Sequence, residues 1–86
     1  MNYELMTALK SEETASLVKK LLDQAKVKIL KEEPMGRRRL SYEINNHSEG
    51  YYQVWQVSGS STMVAEVSKL FKLEKDVLRF LFTKAS

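Results

Sequence analysis

Apolar positions along the chain follow two alternating periods, one near two residues and one near 3.6. Residues 2–9, NYELMTAL, form a short run of aromatic and apolar side chains that ends at a polar cluster, which predicts a strand. The period then lengthens. Leu17, Val18, Leu21, Leu22 and Ala25 share one helical face, with Lys19, Lys20, Asp23 and Gln24 on the other. Ser11 is the expected N-cap of this helix, and Glu12 and Glu13 fall in its first turn, where the helix dipole favours anions.

Val27 and Ile29 open a second strand, which runs to Pro34-Met35-Gly36. Beyond it Leu40, Tyr42 and Ile44 alternate with Arg39, Ser41 and Glu43. Apolar residues therefore occupy odd positions before Pro-Met-Gly and even positions after it. One extra residue flips the faces of a strand, so this tripeptide is either a bulge in one long strand or a turn between two. Proline also lacks the backbone donor that a ladder requires, which places it at an edge or an irregularity.

Asn45 to Gly50 reads as a turn-rich connection, and Tyr51 to Ser58 as the next strand. Tyr51, Trp55 and Val57 fall on one face of that strand, and Tyr52, Val54 and Gln56 on the other. Ser58-Gly-Ser-Ser-Thr62 breaks the strand and caps a second helix, whose stripe is Val64, Val67, Ser68 and Phe71 flanked by Met63 and Leu70. Val77 to Lys84 is the last strand. Its Phe80 and Phe82 point toward the helices, and Arg79, Leu81 and Thr83 point away.

The order β-α-β-β-α-β predicts an α+β, ferredoxin-like fold: a four-stranded antiparallel sheet with two helices on one face, in one domain spanning residues 1–86. Two helices cover one face only. Whatever projects from the other meets solvent or a partner.

Composition narrows the function. Eighty-six residues suit a small domain that buries about 60–65% of its unfolded surface. With no cysteine, disulfide scaffolds and thiolate zinc sites are excluded. No apolar run is long enough to span a membrane, and MNYELMTALK is too polar and short for a secretory core. The formal charge is +3. Residues 1–34 carry six basic and six acidic groups, residues 35–60 three against two, and residues 61–86 five against three. The excess lies in the second half, and it is too small for indiscriminate polyanion binding, which scales with the number of phosphate contacts.

The residues themselves form a familiar series. Tyr3-Glu4 lies in the first strand, Gly36-Arg-Arg-Arg-Leu-Ser-Tyr-Glu-Ile44 in the second, Gly50-Tyr-Tyr52 at the start of the third, and Asp76-Val-Leu-Arg79 with Lys84 in the last. Together they resemble the bacterial small-subunit ribosomal protein number six family, whose motifs read roughly YE, GxRxLAYPI, GYF and DxVxR…K. The resemblance covers nearly the whole chain in order. It implies a structural constituent of the small ribosomal subunit that binds small-subunit ribosomal RNA together with ribosomal protein number eighteen during platform assembly, on a cytoplasmic ribosome or in an organelle matrix. It also implies that Pro-Met-Gly lies within one long irregular strand. Glu43 stands where the family usually has proline, and Ser41 where it has alanine.

On this basis Asn2, Arg37, Arg38, Arg39, Arg79 and Lys84 are the expected RNA-binding residues, and Tyr52, Val54 and Glu43 the expected docking residues for the protein partner. The planar guanidinium fork suits phosphate and can stack on bases. The plainer reading of Arg37–Arg39 pairs them with Glu32, Glu33 and Glu43, and that of Tyr52 makes it an amphipathic surface ring. Strand neighbours point to opposite faces, so only part of the arginine run can meet one ligand.

Two other functions fit the same order of elements less well. An RNA-recognition motif stacks single-stranded bases on its sheet, but in EGYYQVWQV Glu49 replaces the basic residue of the third-strand signature and Gln53 interrupts its apolar run. An acylphosphatase-like hydrolase wants an arginine-bearing loop after the first strand, where Lys10-Ser-Glu-Glu13 has two acids and no arginine. His47 stands alone without metal-ligating neighbours, and Gly36, Gly50 and Gly59 match no phosphate-loop spacing. No enzyme activity, cofactor, metal, membrane or small-molecule substrate is expected.

Overall fold

The computed structural model describes residues 1–44 and 46–84. The elements run β1 (Asn2–Leu9), α1 (Thr14–Gln24), β2 (Lys28–Ile44), β3 (His47–Ser58), α2 (Met63–Lys72) and β4 (Val77–Lys84). All strand pairs are antiparallel in one sheet of order β2-β3-β1-β4. This is the expected ferredoxin-like arrangement.

Alternation along the central strands builds the core. Leu5 and Leu9 of β1 and Trp55 and Val57 of β3 project to the helix side. There they meet Val18, Leu21 and Leu22 of α1 and Met63, Val67 and Phe71 of α2, all buried. Phe71 packs edge-to-face on Phe80, with ring centroids 5.2 Å apart. The α2 stripe therefore runs through Met63, Val67 and Phe71 at i, i+4 and i+8. Val64, Ser68 and Leu70, expected in or beside that stripe, are half-buried.

Helix α1 starts later than the sequence suggests. Residues 11–13 form tight turns in which the backbone N–H of Thr14 donates to the Ser11 carbonyl (3.1 Å) and that of Ala15 to the Glu12 carbonyl (3.1 Å). Glu13 holds the N-cap position with helical φ and ψ and without a side-chain cap, so Ser11 is not the cap and the two glutamates precede the first turn. The Ser11 hydroxyl instead lies 3.4 Å from that of Thr14.

The Pro-Met-Gly tripeptide lies inside one strand. β2 spans 17 residues and slips register against β3 three times, between Ile29 and Lys31, Pro34 and Gly36, and Arg39 and Ile44. Gly36 has φ +86, a conformation that costs glycine little. A straight strand of that length would run about 55 Å, yet the whole chain measures 33 × 23 × 20 Å. The slips bend β2 enough to fit. At its end Leu40, Ser41, Tyr42 and Glu43 stand opposite the single Ser48, because Arg39 pairs with Glu49 and Ile44 with His47. The connection to β3 is correspondingly short. His47 to Gly50, expected in a turn, already belong to β3, and Asn46 turns the chain with φ 67.

Candidate nucleic-acid and partner interface

The side of the sheet away from the helices is built by the even-numbered residues of β1 and β3 and the odd-numbered residues of β4. Register lines them up in rows across the strands. Gly36, Tyr52, Ala8 and Arg79 form one row, and Glu33, Val54, Met6 and Leu81 the next. Lys31, Gln56, Glu4 and Thr83 follow, then Lys28, Ser58 and Asn2.

One end of this open face carries a second apolar cluster. Ala8, Leu40 and Leu78 are buried together, with Ile44 and Tyr52 packed against them. Two local features make it. The β1–β4 register slips at Ala8/Leu9, leaving Leu78 opposite no β1 residue and free to pack beside Ala8. Leu40 of the bent β2 end packs over Gly50, its Cδ2 at an ordinary contact distance of 3.4 Å from where a Cβ would stand. The bent end of β2 thus folds over part of the sheet and stops short of Arg79.

Beyond that cluster the face is open. Met6, Ala8, Tyr52, Arg79, Phe80 and Leu81 line a recess of about 190 Å³. Met6 is 40% exposed and Leu81 51% exposed, with Val54 half-buried between β2 and Met6. Arg79 is exposed and forms no ion pair among the described residues. A guanidinium without an ion-pair partner among the described residues, above an apolar floor and beside a tyrosine ring, is suited to an anion or a planar group.

The expected RNA-binding residues do not all converge there. Asn2 is exposed on the open face at the far row. Lys84 pairs with Tyr3, and alternation sends it to the helix side, away from Arg79. Arg38, opposite Gly50, falls on the open side, whereas Arg37 opposite Tyr51 and Arg39 opposite Glu49 fall on the helix side. All three are exposed.

The plainer pairing of these arginines fails on geometry. Glu32 lies 3.1 Å from Lys19 and accepts from Gln53 (3.2 Å), and Glu33 lies 3.4 Å from Lys31. Arg37 reaches Glu49 at 3.9 Å, with both side chains half exposed, a contact of small energetic value. Arg38 and Arg39 have no acidic partner among the described residues.

Of the expected docking residues, Tyr52 and Val54 occupy the open face as anticipated. Glu43 is exposed and belongs instead to the bulged segment near the end of β2. Sequence reasoning passed over Met6, although β1 carries apolar groups on both faces (Leu5 and Leu9 against Met6 and Ala8), the signal of a strand covered on both sides. It also passed over Tyr42. Alternation groups that residue with Leu40 and Ile44, but it is 63% exposed while they pack inward. The central strands offer one ring on the open face, Tyr52, where single-strand recognition on such a sheet uses aromatics to stack two or three bases.

Comparison with known proteins agrees with this fold. The family model described as ribosomal protein S6 matches residues 2–84. The small ribosomal subunit protein bS6 of Leptospira biflexa is 35% identical over 88 residues, covering 99% of this chain and 97% of that protein. That of Onion yellows phytoplasma is 33% identical over 89 residues, covering 95% and 94%. The bS6 protein of Halalkalibacterium halodurans is 46% identical over 56 residues, a match spanning 65% of this chain and 59% of that protein. Among solved structures, the crystal structure of 30S ribosomal protein S6 from Thermotoga maritima superposes with a TM-score of 0.82 at 26% identity, covering 98% of this chain and 86% of that one.

Proposed function

This chain belongs to the ribosomal protein S6 family, structural constituents of the small ribosomal subunit and not enzymes, and we propose that it binds small-subunit ribosomal RNA jointly with ribosomal protein number eighteen. Its place of work is the ribosome in the cytoplasm, and no helix among the described residues is long and apolar enough to cross a membrane.

The observation that carries the reading is the recess on the open face. Two chemistries meet there on adjacent rows of the sheet. Val54, Met6 and Leu81 form the apolar part of their row, with Met6 and Leu81 exposed, which suits a protein partner that buries them. Arg79, at the end of the adjacent row and unpaired among the described residues, supplies the charge-assisted contact to phosphate. Protein and RNA therefore approach neighbouring parts of one surface, and each completes the site for the other. Asn2 and Arg38 extend the polar margin of the same face. Lys84, on the helix side, contributes to a separate contact or to none.

Filter binding to small-subunit ribosomal RNA, with and without ribosomal protein number eighteen, tests the proposal. Tighter binding in the partner's presence, lost for unrelated RNA hairpins, is the expected result. Equal affinity for unrelated hairpins under both conditions would sink it.

A further inference from the structure

Tyr42 is the least explained ring in the molecule. It lies in the four-residue segment of β2 that faces the single Ser48, and it is 63% exposed. The segment is pinned at both ends, since Leu40 is 7% exposed within the open-face cluster and Ile44 packs against that cluster. Among the described residues the Tyr42 ring forms no aromatic pair and its hydroxyl no hydrogen bond. A ring held out from a fixed backbone loses little freedom on binding a flat partner. Its flank is cationic. Arg38 and Arg39 are exposed, close in sequence before Leu40, and without acidic partners among the described residues. Glu43 follows on the other side, so phosphate contacts fall to the arginine side of the ring.

We infer that Tyr42 is a stacking platform for an unpaired RNA base, with Arg38, which falls on the open side of the sheet, holding a phosphate beside it. The inference rests on the RNA-binding reading above and adds a contact outside the Arg79 recess. Tyrosine and arginine are enriched at protein interfaces as well, but such rings sit there in well-packed, fully desolvated pockets. Base stacking, by contrast, needs only one ring and a positively charged path for the backbone.

The test uses the full chain, small-subunit ribosomal RNA as probe, and ribosomal protein number eighteen present throughout. Tyr42→Phe should bind within about twofold of the unaltered chain, and Tyr42→Ala about five- to a hundredfold more weakly. The slope of log affinity against log salt should stay unchanged in both, because no phosphate contact is lost, and should fall by about one in Arg38→Ala. Coincident thermal melts establish that Tyr42→Ala remains folded. Undiminished RNA binding by Tyr42→Ala overturns the platform while leaving RNA binding itself intact. So does an equal loss in Tyr42→Phe, which would assign the contact to the hydroxyl. A Tyr42→Ala defect confined to binding ribosomal protein number eighteen, measured without RNA, also overturns it. Failure of the unaltered chain to bind the RNA removes both this inference and the reading beneath it.

Discussion

At the scale of single residues, the core owes its specificity to one polar chain. Trp55 is fully buried, and its Nε1 donates to the Thr7 hydroxyl at 3.0 Å. Thr7 donates in turn to the Gln53 carbonyl at 2.9 Å, and the Gln53 amide donates to Glu32 at 3.2 Å, which lies 3.1 Å from Lys19 of α1. A buried indole N–H without an acceptor costs about 1–3 kcal/mol. Thr7→Val keeps the shape and removes the acceptor, so we expect a loss of about that size in urea unfolding. An unchanged midpoint would mean that Trp55 finds another acceptor. In the sequence Gln53 interrupts the apolar run of its strand, and Thr7 stands between Leu5 and Leu9 on one face of β1. That they answer each other across neighbouring strands follows from the register pairing Thr7 with Gln53, which no local pattern reveals.

At the scale of elements, helices and strands diverge in how far local chemistry governs them. Hydrophobic spacing located both helices, but capping residues did not fix where α1 begins. The turns at residues 11–13 satisfy backbone donors that a side-chain cap would otherwise serve. Ser11→Ala should therefore change stability by less than about 0.5 kcal/mol by thermal melting, where a true N-cap loses about 1 kcal/mol or more. A larger loss would restore Ser11 as the cap. Strand β2 depends on its irregularities. At Gly36 a Cβ would meet nothing within 4 Å, so the whole penalty of Gly36→Ala comes from the backbone at φ +86. We expect about 1 kcal/mol of destabilisation by urea titration. A neutral result would mean that β2 can bend without that conformation.

At the scale of the molecule, one face of the sheet builds the core and the other faces outward. Because Arg79 is exposed and Leu81 is 51% exposed, both can be changed without disturbing the packing beneath the helices. Arg79→Ala should lower the salt slope of RNA binding by about one, the signature of a lost phosphate contact. Leu81→Glu should weaken association with ribosomal protein number eighteen at least tenfold by calorimetry, with thermal stability nearly unchanged. If Leu81→Glu associates as tightly as the unaltered chain, the partner does not sit on this row.

Periodicity alone predicted the order of six elements, which residues of β3 and of β4 share a face, and the consequence that one sheet face is left bare. Those properties are local: they depend on spacings of two and 3.6 residues, which any short stretch carries. Tertiary structure decided the rest. It decided which of the three arginines faces the open side, packed Leu40 against Ala8 and Leu78, and left Tyr42 outside. Each of those outcomes depends on register slips and bends between strands far apart in sequence. A bulge changes which neighbours a side chain meets without changing the pattern that announces the strand.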